Sequence, residues 1–318
     1  MKIFKIKEKG VDFIQMIPFR IEKEIQVTIE KNCNEFFGLE FVRSEFTVGE
    51  FRIDSLCFNY ETNSFVIIEY KKGNSYSVID QGYSYLSIML NHKSDFIIEY
   101  NERLNKNLRR DDIDWTQSKV IFVSQSFSTY QKNSVNFKNI PFELWEIKRF
   151  VNDTIVLNQI ISSSKENIDT LGSSEKNSVL IDVSNEIKIF DEEYHTNKLD
   201  EDTKLKWEEL KERVLGIDNI SLQVMKPYIS FSGQSKKICY CNFRKNYISI
   251  EILRGNTNTE GVKSKTFFTL DDPKKVSEEG YWEWKNGVKG HVYRIKFDKY
   301  SDVDYTMFLI NQKVNSVI

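Results

Sequence analysis

The chain has 318 residues, 40% of them hydrophobic and 14% aromatic, which supplies apolar surface for more than one core at a length beyond the usual single-core size. A net charge of −2 gives no bulk attraction to nucleic acid, although catalytic acids can offset a local basic patch. Four cysteines and three histidines argue against a disulfide scaffold and a completed zinc set, and no apolar run reaches membrane-spanning length, so the expectation is a cytoplasmic protein without leader, membrane segment, zinc or disulfide.

Residues 2–19 read as a small hairpin, MKIFKI and DFIQMIPF around Lys9-Gly10, suited to capping the domain or dimerising it. Residues 21–37 follow as a helix whose buried stripe is Ile25, Ile29, Cys33 and Phe36. On that wheel Glu22 falls inside the stripe, whereas Glu24 and Glu30 fall well off it. A carboxylate turned toward a sheet has two readings. It complements the helix dipole, worth a few tenths to about 1 kcal/mol, or it joins a metal site through water or a second ion.

Arg52-Ile-Asp54 lies on the next predicted strand, and Asn63-Ser-Phe-Val-Ile-Ile-Glu-Tyr-Lys71 on the one after. Alternation puts Phe65, Ile67, Glu69 and Lys71 on one face and Val66, Ile68 and Tyr70 on the other. Both faces are largely apolar, so this strand belongs inside a sheet covered on both sides. Two charges near its end have a plain structural reading, a half-buried Glu–Lys pair or a strand end emerging into water. They also have a chemical one. An acid on one strand and an acid-x-lysine on its neighbour are the minimum set for cutting a phosphodiester with a divalent metal. Hard carboxylate oxygens hold the ion from two directions, and a nearby cation lowers the pKa of the attacking water and steadies developing charge.

Residues 75–91 read as a helix with Val78, Gly82, Tyr85, Leu86, Met89 and Leu90 toward a core. Gln81 and Tyr85, one turn apart, share a face. They are either a polar shoulder or a functional pair, Gln81 reaching the attacking water or a phosphate oxygen and Tyr85 the substrate backbone. Residues 94–100 and 119–124 read as apolar strands, 127–137 as a helix between them, and 143–150 as a half-exposed strand. The loop 101–110 carries four basic residues, Arg109 and Arg110 among them. Such a loop is either simply solvated or a phosphate contact.

The order Glu22 on a helix, Asp54 on a strand, Glu69-x-Lys71 on the next strand and Gln81-x-x-x-Tyr85 on a helix resembles the restriction-endonuclease-like PD-(D/E)XK superfamily. The Gln/Tyr element is that of its RecB-type branch, and Glu22-Lys-Glu-Ile25 resembles the helix bearing the first acid in archaeal Holliday-junction resolvases. The match covers residues 20–160. It implies an α/β unit with a central mixed sheet flanked by helices, and Mg²⁺- or Mn²⁺-dependent hydrolysis leaving a 5′-phosphate. The metal ligands it implies are Asp54, Glu69 and the carbonyl of Tyr70, with Lys71 activating the water and Glu22 and Gln81 in support. Ile53 stands where the family name has proline. The superfamily includes inactive members, and here the acidic pair and lysine are intact.

Residues 162–177, SSSKENIDTLGSSEKN, form a polar, serine-rich spacer. The expected organisation is a nuclease-like domain over 1–161, a linker over 162–198 and a smaller α+β domain with an antiparallel sheet over 199–318. In that last part, 200–215 and 301–314 read as helices and 221–253 and 288–297 as alternating strands. It resembles a domain of unknown function found behind nuclease-like domains. Its aromatic and basic residues, Tyr228, Phe231, Phe243, Arg244, Tyr247, Tyr281, Trp282 and Trp284, read as core, or as a surface for single-stranded nucleic acid or a partner. The expected function is a metal-dependent deoxyribonuclease in repair, restriction or defence, with DNA as partner, no membrane role, and a homodimer or protein partner through the C-terminal domain. The competing reading is an inactive nuclease fold that binds nucleic acid or acts as a scaffold.

Overall fold

The structure is a computed structural model that describes residues 2–71, 78–135, 140–161, 183, 186–233, 236–265, 267–283 and 288–317. The chain divides into two compact units, Met1–Ile189 and Phe190–Ile318.

The first unit opens with a two-stranded ribbon, β1 (Ile3–Lys7) and β2 (Gly10–Ile14). The short β3 (Met16–Ile17) follows, then α1 (Glu22–Lys31) and α2 (Cys33–Phe37). The helix expected over 21–37 is thus broken at Asn32, whose φ of −132° is not helical. Next come β4 (Glu40–Val48), β5 (Phe51–Asn59), β6 (Ser64–Lys71), α3 (Val78–Asn91) and α4 (Lys93–Leu104). β7 (Lys119–Ser124), α5 (Thr129–Ser134), β8 (Phe142–Phe150) and β9 (Ile155–Ile160) complete it.

These strands make a mixed sheet. β4, β5 and β6 pair antiparallel, β6, β7 and β8 pair parallel, and β3 and β9 run antiparallel to β8. The fold class expected from the sequence, a mixed sheet flanked by helices, is the one observed. β6 is buried from Ser64 to Tyr70, as its two apolar faces require. On one side Phe65 and Ile67 pack with Leu86 and Met89 of α3 and Phe96 of α4. On the other, Val66, Ile68 and Tyr70 pack with Ile25 and Ile29 of α1.

One element differs in kind from its expectation. Residues 94–100 are helix, not strand, because Phe96 and Tyr100, four apart, lie on one helical face against Phe65, with Phe46 beside the first and Phe58 beside the second. β4 and β9 carried no expectation at all. Of the expected spacer, residues 162–182, 184 and 185 lie outside the described residues. Val183 and Ile187 beyond them are buried in the first unit's core.

The second unit has α6 (Glu192–Thr196), α7 (Glu201–Leu215) and a closing α8 (Val303–Val317). Its antiparallel sheet holds β10 (Ile220–Val224), β11 (Ile229–Gly233), β12 (Lys236–Arg244), β13 (Tyr247–Thr257), β14 (Ser277–Glu283) and β15 (Lys289–Phe297), in the order β10-β11-β12-β13-β15-β14. Asp200 caps α7 by accepting the Thr203 N–H at 3.0 Å. Trp207 of that helix is fully buried against Phe231 and Phe243, which are core residues. Tyr228 is half-buried against Tyr240, with ring centres 4.5 Å apart, Tyr281 is exposed, and Trp284 lies outside the described residues.

Candidate active site

The ladder between β5 and β6 stops at Ser55 opposite Ile68. One register step further the chain places Asp54 and Glu69 side by side. Asp54 Oδ2 accepts the Tyr70 N–H at 3.1 Å, so a carboxylate takes a donor that a strand carbonyl would otherwise use. β6 is still held there from its other edge, where Glu69, Tyr70 and Lys71 pair with Phe122, Val123 and Ser124 of β7. The two acids therefore sit where one pair of strands has parted and the next remains closed.

Glu69 is only 4% exposed. Its Oε1 accepts from Lys71 Nζ at 2.9 Å and from Gln81 Nε2 at 2.9 Å. Its Oε2 is buried without a hydrogen-bond partner among the described residues. An orphaned carboxylate oxygen of this kind is costly and calls for an ion, a water or a functional reason. The Asp54 carboxyl is pushed up to about 7, first by burial and then by the charge of Glu69, against the pull of the Tyr70 N–H and Lys71.

Gln81 and Tyr85 arrive on α3, and the glycine between them brings that helix close. A Cβ on Gly82 would lie 2.6 Å from the Phe142 ring, so α3 could not rest against β8 with any other residue there without displacing that ring. Gln81 Nε2 also donates to the Tyr85 hydroxyl at 3.0 Å, and that hydroxyl reaches the Arg52 carbonyl at 3.5 Å. Burial pushes the Tyr85 phenol well up, so it stays protonated. Tyr85, expected to contact the substrate backbone, is buried and bonded to Gln81 and to β5.

Two further expectations change. Glu22 is exposed at the first residue of α1, not turned onto the sheet, because side chains of a first turn lean N-terminally, away from the layer the helix covers. Gln26 of α1, one turn on, reaches the site's strand, its Nε2 donating to the Asp54 carbonyl at 3.0 Å. Glu30, expected off the buried stripe, accepts from Gln26 and from the Ser55 hydroxyl at 2.9 and 2.6 Å. Arg109 and Arg110 are exposed, on a segment tied to the far end of β6 by the Asp114 N–H to the Asn63 carbonyl and Ser64 Oγ to the Gln117 carbonyl. Five strand residues, roughly 17 Å, separate Ser64 from Glu69, so the structure does not gather these arginines with the acids.

Sequence reasoning missed Glu45. It lies in β4 where the register runs across to Asp54, with a left-handed φ of 53° that a non-glycine residue adopts at a cost of about 1 kcal/mol or more. Lys23 Nζ and Arg52 Nε meet its two oxygens at 2.9 and 3.0 Å, and with the Lys23 hydrogen bond foremost they hold its carboxyl below the usual range. Its charge in turn raises Asp54. Only recognition of β4 and its register could have found it.

Among the described residues, no three His, Cys, Asp or Glu side chains come together as a metal site. The donor set at this position is two carboxylates and main-chain oxygen, which suits Mg²⁺, an ion that keeps several waters and takes one or two carboxylates. All four cysteines are buried free thiols, with Cys33 and Cys57 Sγ atoms 3.3 Å apart. No described helix is long and apolar enough to cross a membrane.

No family model matches the chain. Among solved structures, a repair endonuclease from Pyrococcus abyssi aligns at 14% identity and TM-score 0.21, over 42% of this chain and 60% of that one, and an EndoMS–dsDNA complex does so at 13% and 0.21 over the same shares. Pyrococcus furiosus SfsA in complex with Ca²⁺ aligns at 12% and 0.24, over 47% and 75%. The chain thus spans about 60% of the length of the two endonuclease chains, and likenesses at these scores carry no argument. An uncharacterized protein of Haemophilus influenzae is 38% identical over 319 residues, 99% of each chain. At that identity over the whole of both sequences, the protein belongs to the same family as the Haemophilus influenzae protein.

Proposed function

We propose that the first unit is a metal-dependent nuclease that hydrolyses DNA phosphodiester bonds. The observation that supports this most is the meeting of Asp54 and Glu69 at the parting of β5 and β6, with one buried Glu69 oxygen left without a partner among the described residues. Two adjacent carboxylates, one of them buried, leave repulsion that Lys71 offsets only in part and that a bound cation relieves. Asp54, Glu69 and the Tyr70 carbonyl would hold Mg²⁺ or Mn²⁺, which supplies Lewis-acid polarisation of a phosphate and a water of lowered pKa.

The chain's own residues do the rest. Lys71, anchored on Glu69 and largely shielded from solvent, places a positive charge beside the acids and offsets the negative charge that builds on phosphorus oxygens. Gln81, whose Nε2 donates to Glu69 Oε1 and to the Tyr85 hydroxyl, presents its amide oxygen as the acceptor that orients a water beside Glu69. Tyr85 and Gln26 fix Gln81 and the Asp54 backbone, so the acids stay in place when substrate arrives.

The test is cleavage of linear and circular DNA by purified protein with Mg²⁺, with Mn²⁺ and with a chelator, beside Asp54→Ala. Expected are cleavage with either metal, none with chelator, and loss in the variant at unchanged circular dichroism. Undiminished cleavage by Asp54→Ala removes the site assignment. A folded wild-type protein that binds DNA without cutting it favours the inactive, binding version of the fold.

A further inference from the structure

The ribbon of β1 and β2 turns its apolar face outward. Its strands pair only with each other among the described strands, and isolated two-stranded ribbons are marginally stable in water. The cross-strand pairs Phe4–Phe13 and Ile6–Val11 share one face, and Ile3–Ile14, Lys5–Asp12 and Lys7–Gly10 share the other. The second face has buried Ile14 at its base and an ion pair between Lys7 and Asp12 further out. The first face carries no polar side chain. Phe4, Ile6, Val11 and Phe13 are 47, 84, 61 and 58% exposed, the two phenylalanine rings meeting edge to face at 5.6 Å.

These four side chains expose roughly 500 Å² of apolar surface, at the upper end of the largest patch on a typical monomer. Met16, Ile17 and Val151 nearby are also exposed, where the ribbon joins the main sheet and the Val151 N–H bonds the Gln15 carbonyl at 3.0 Å. Two such strips face to face bury on the order of 1,000 Å², the size at which specific interfaces begin.

We propose that a second copy of this chain covers the strip, the two ribbons stacking apolar face to apolar face about a two-fold axis. Phe4, Ile6, Val11 and Phe13 offer no charge or hydrogen bond with which to select a different partner, whereas an apolar flat face is complementary to itself. In this arrangement Lys5, Lys7 and Asp12 of both copies lie on the outer faces, and no like charges are brought together. The inference does not depend on the nuclease reading.

Sedimentation velocity of the full chain over a concentration series tests it, with Ile6→Lys and Val11→Lys on the strip and Lys5→Glu on the opposite face. The wild type and Lys5→Glu should sediment as dimers and the two strip variants as monomers, all four with the same circular dichroism and thermal midpoint when dilute. A wild type that stays monomeric overturns the proposal, as does a dimer that both strip variants leave intact or that Lys5→Glu abolishes. A monomer that floats with phosphatidylglycerol vesicles, and no longer does so as Ile6→Lys, gives the strip to a lipid surface and overturns it too.

Discussion

Both units bury charge beside a sheet, but they compensate it differently. In the second unit Arg254 is nearly buried, with Glu279 at 2.7 Å and the rings of Tyr293 and Phe267 at 4.3 and 5.1 Å from its guanidinium. His195, wholly buried, has its Nε2 2.7 Å from the Met225 carbonyl, and burial holds its pKa below the ordinary value so that it stays neutral. In the first unit Asp54 is pushed toward neutrality by burial and by the like charge of Glu69 beside it, and Lys71, 2.9 Å from Glu69 Oε1, relieves that repulsion only in part. Opposite charges and aromatic faces serve stability. Like charges set together cost stability, and the commonest reason to keep them is a ligand that neither side chain supplies.

Asp54→Asn is the sharpest way to break that contrast. It keeps an acceptor for the Tyr70 N–H and removes the repulsion from Glu69. Cleavage should fall by roughly 10³-fold or more. In the absence of divalent ions, however, the thermal midpoint should rise by about 2–4 °C for each kcal/mol of relief. Rate measurements and scanning calorimetry on one preparation check both. A variant that loses stability together with activity would place Asp54 with the structural residues, and the contrast between the units would disappear.

Lys71→Met keeps the length of the side chain and removes its charge. Turnover should drop by about 10²-fold, a smaller loss than at the acids. Divalent-ion affinity should hold or tighten, because a competing cation has gone from Glu69. Single-turnover rates and a Mn²⁺ titration of the same variant separate these outcomes from a plain ion-pair role, which predicts a stability change at full rate.

The smallest effect belongs to the second unit. His195 lies against Tyr194 and Phe243, with Lys198 disfavouring its charged form and Asp191 and Glu192 favouring it. Its folded pKa lies below 6.5, so as pH falls through about 6.5 the unfolded chain binds a proton that the folded ring refuses. Stability should therefore decline toward acid, at no more than about 1.4 kcal/mol per pH unit for one proton. Urea midpoints followed by tryptophan fluorescence at neutral and mildly acid pH should differ in the wild type and converge in His195→Gln.

The positions of Asp54, Glu69 and Lys71 were legible because they sit on strands whose alternation is plain, and that of Gln81 because it lies one turn before Tyr85 on a helix with a clear stripe. The distance of Arg109 and Arg110 from the acids was not legible, because a basic loop looks the same at either end of a sheet. Glu22 misled because a wheel treats all turns alike, while a first-turn side chain leans off the end of the layer it would cover. Residues 94–100 misled because Phe96, Ile97, Ile98 and Tyr100 satisfy a short apolar strand as well as one helical face, and only the packing of Phe96 and Tyr100 against Phe65 decides between them.

By itself, then, the sequence determined β6 with its two buried faces, the side of it that carries Glu69 and Lys71, and the helix that brings Gln81. Each follows from a period of two or 3.6 residues within one segment. The tertiary structure alone decided that β5 parts from β6 just at Asp54, that Gln26 reaches that strand, that Glu45 stands across from Asp54 in a left-handed conformation, and that the ribbon's apolar face is outside. These depend on register between strands and on which layer covers which face, and such contacts join residues too far apart in the chain for any local pattern to encode.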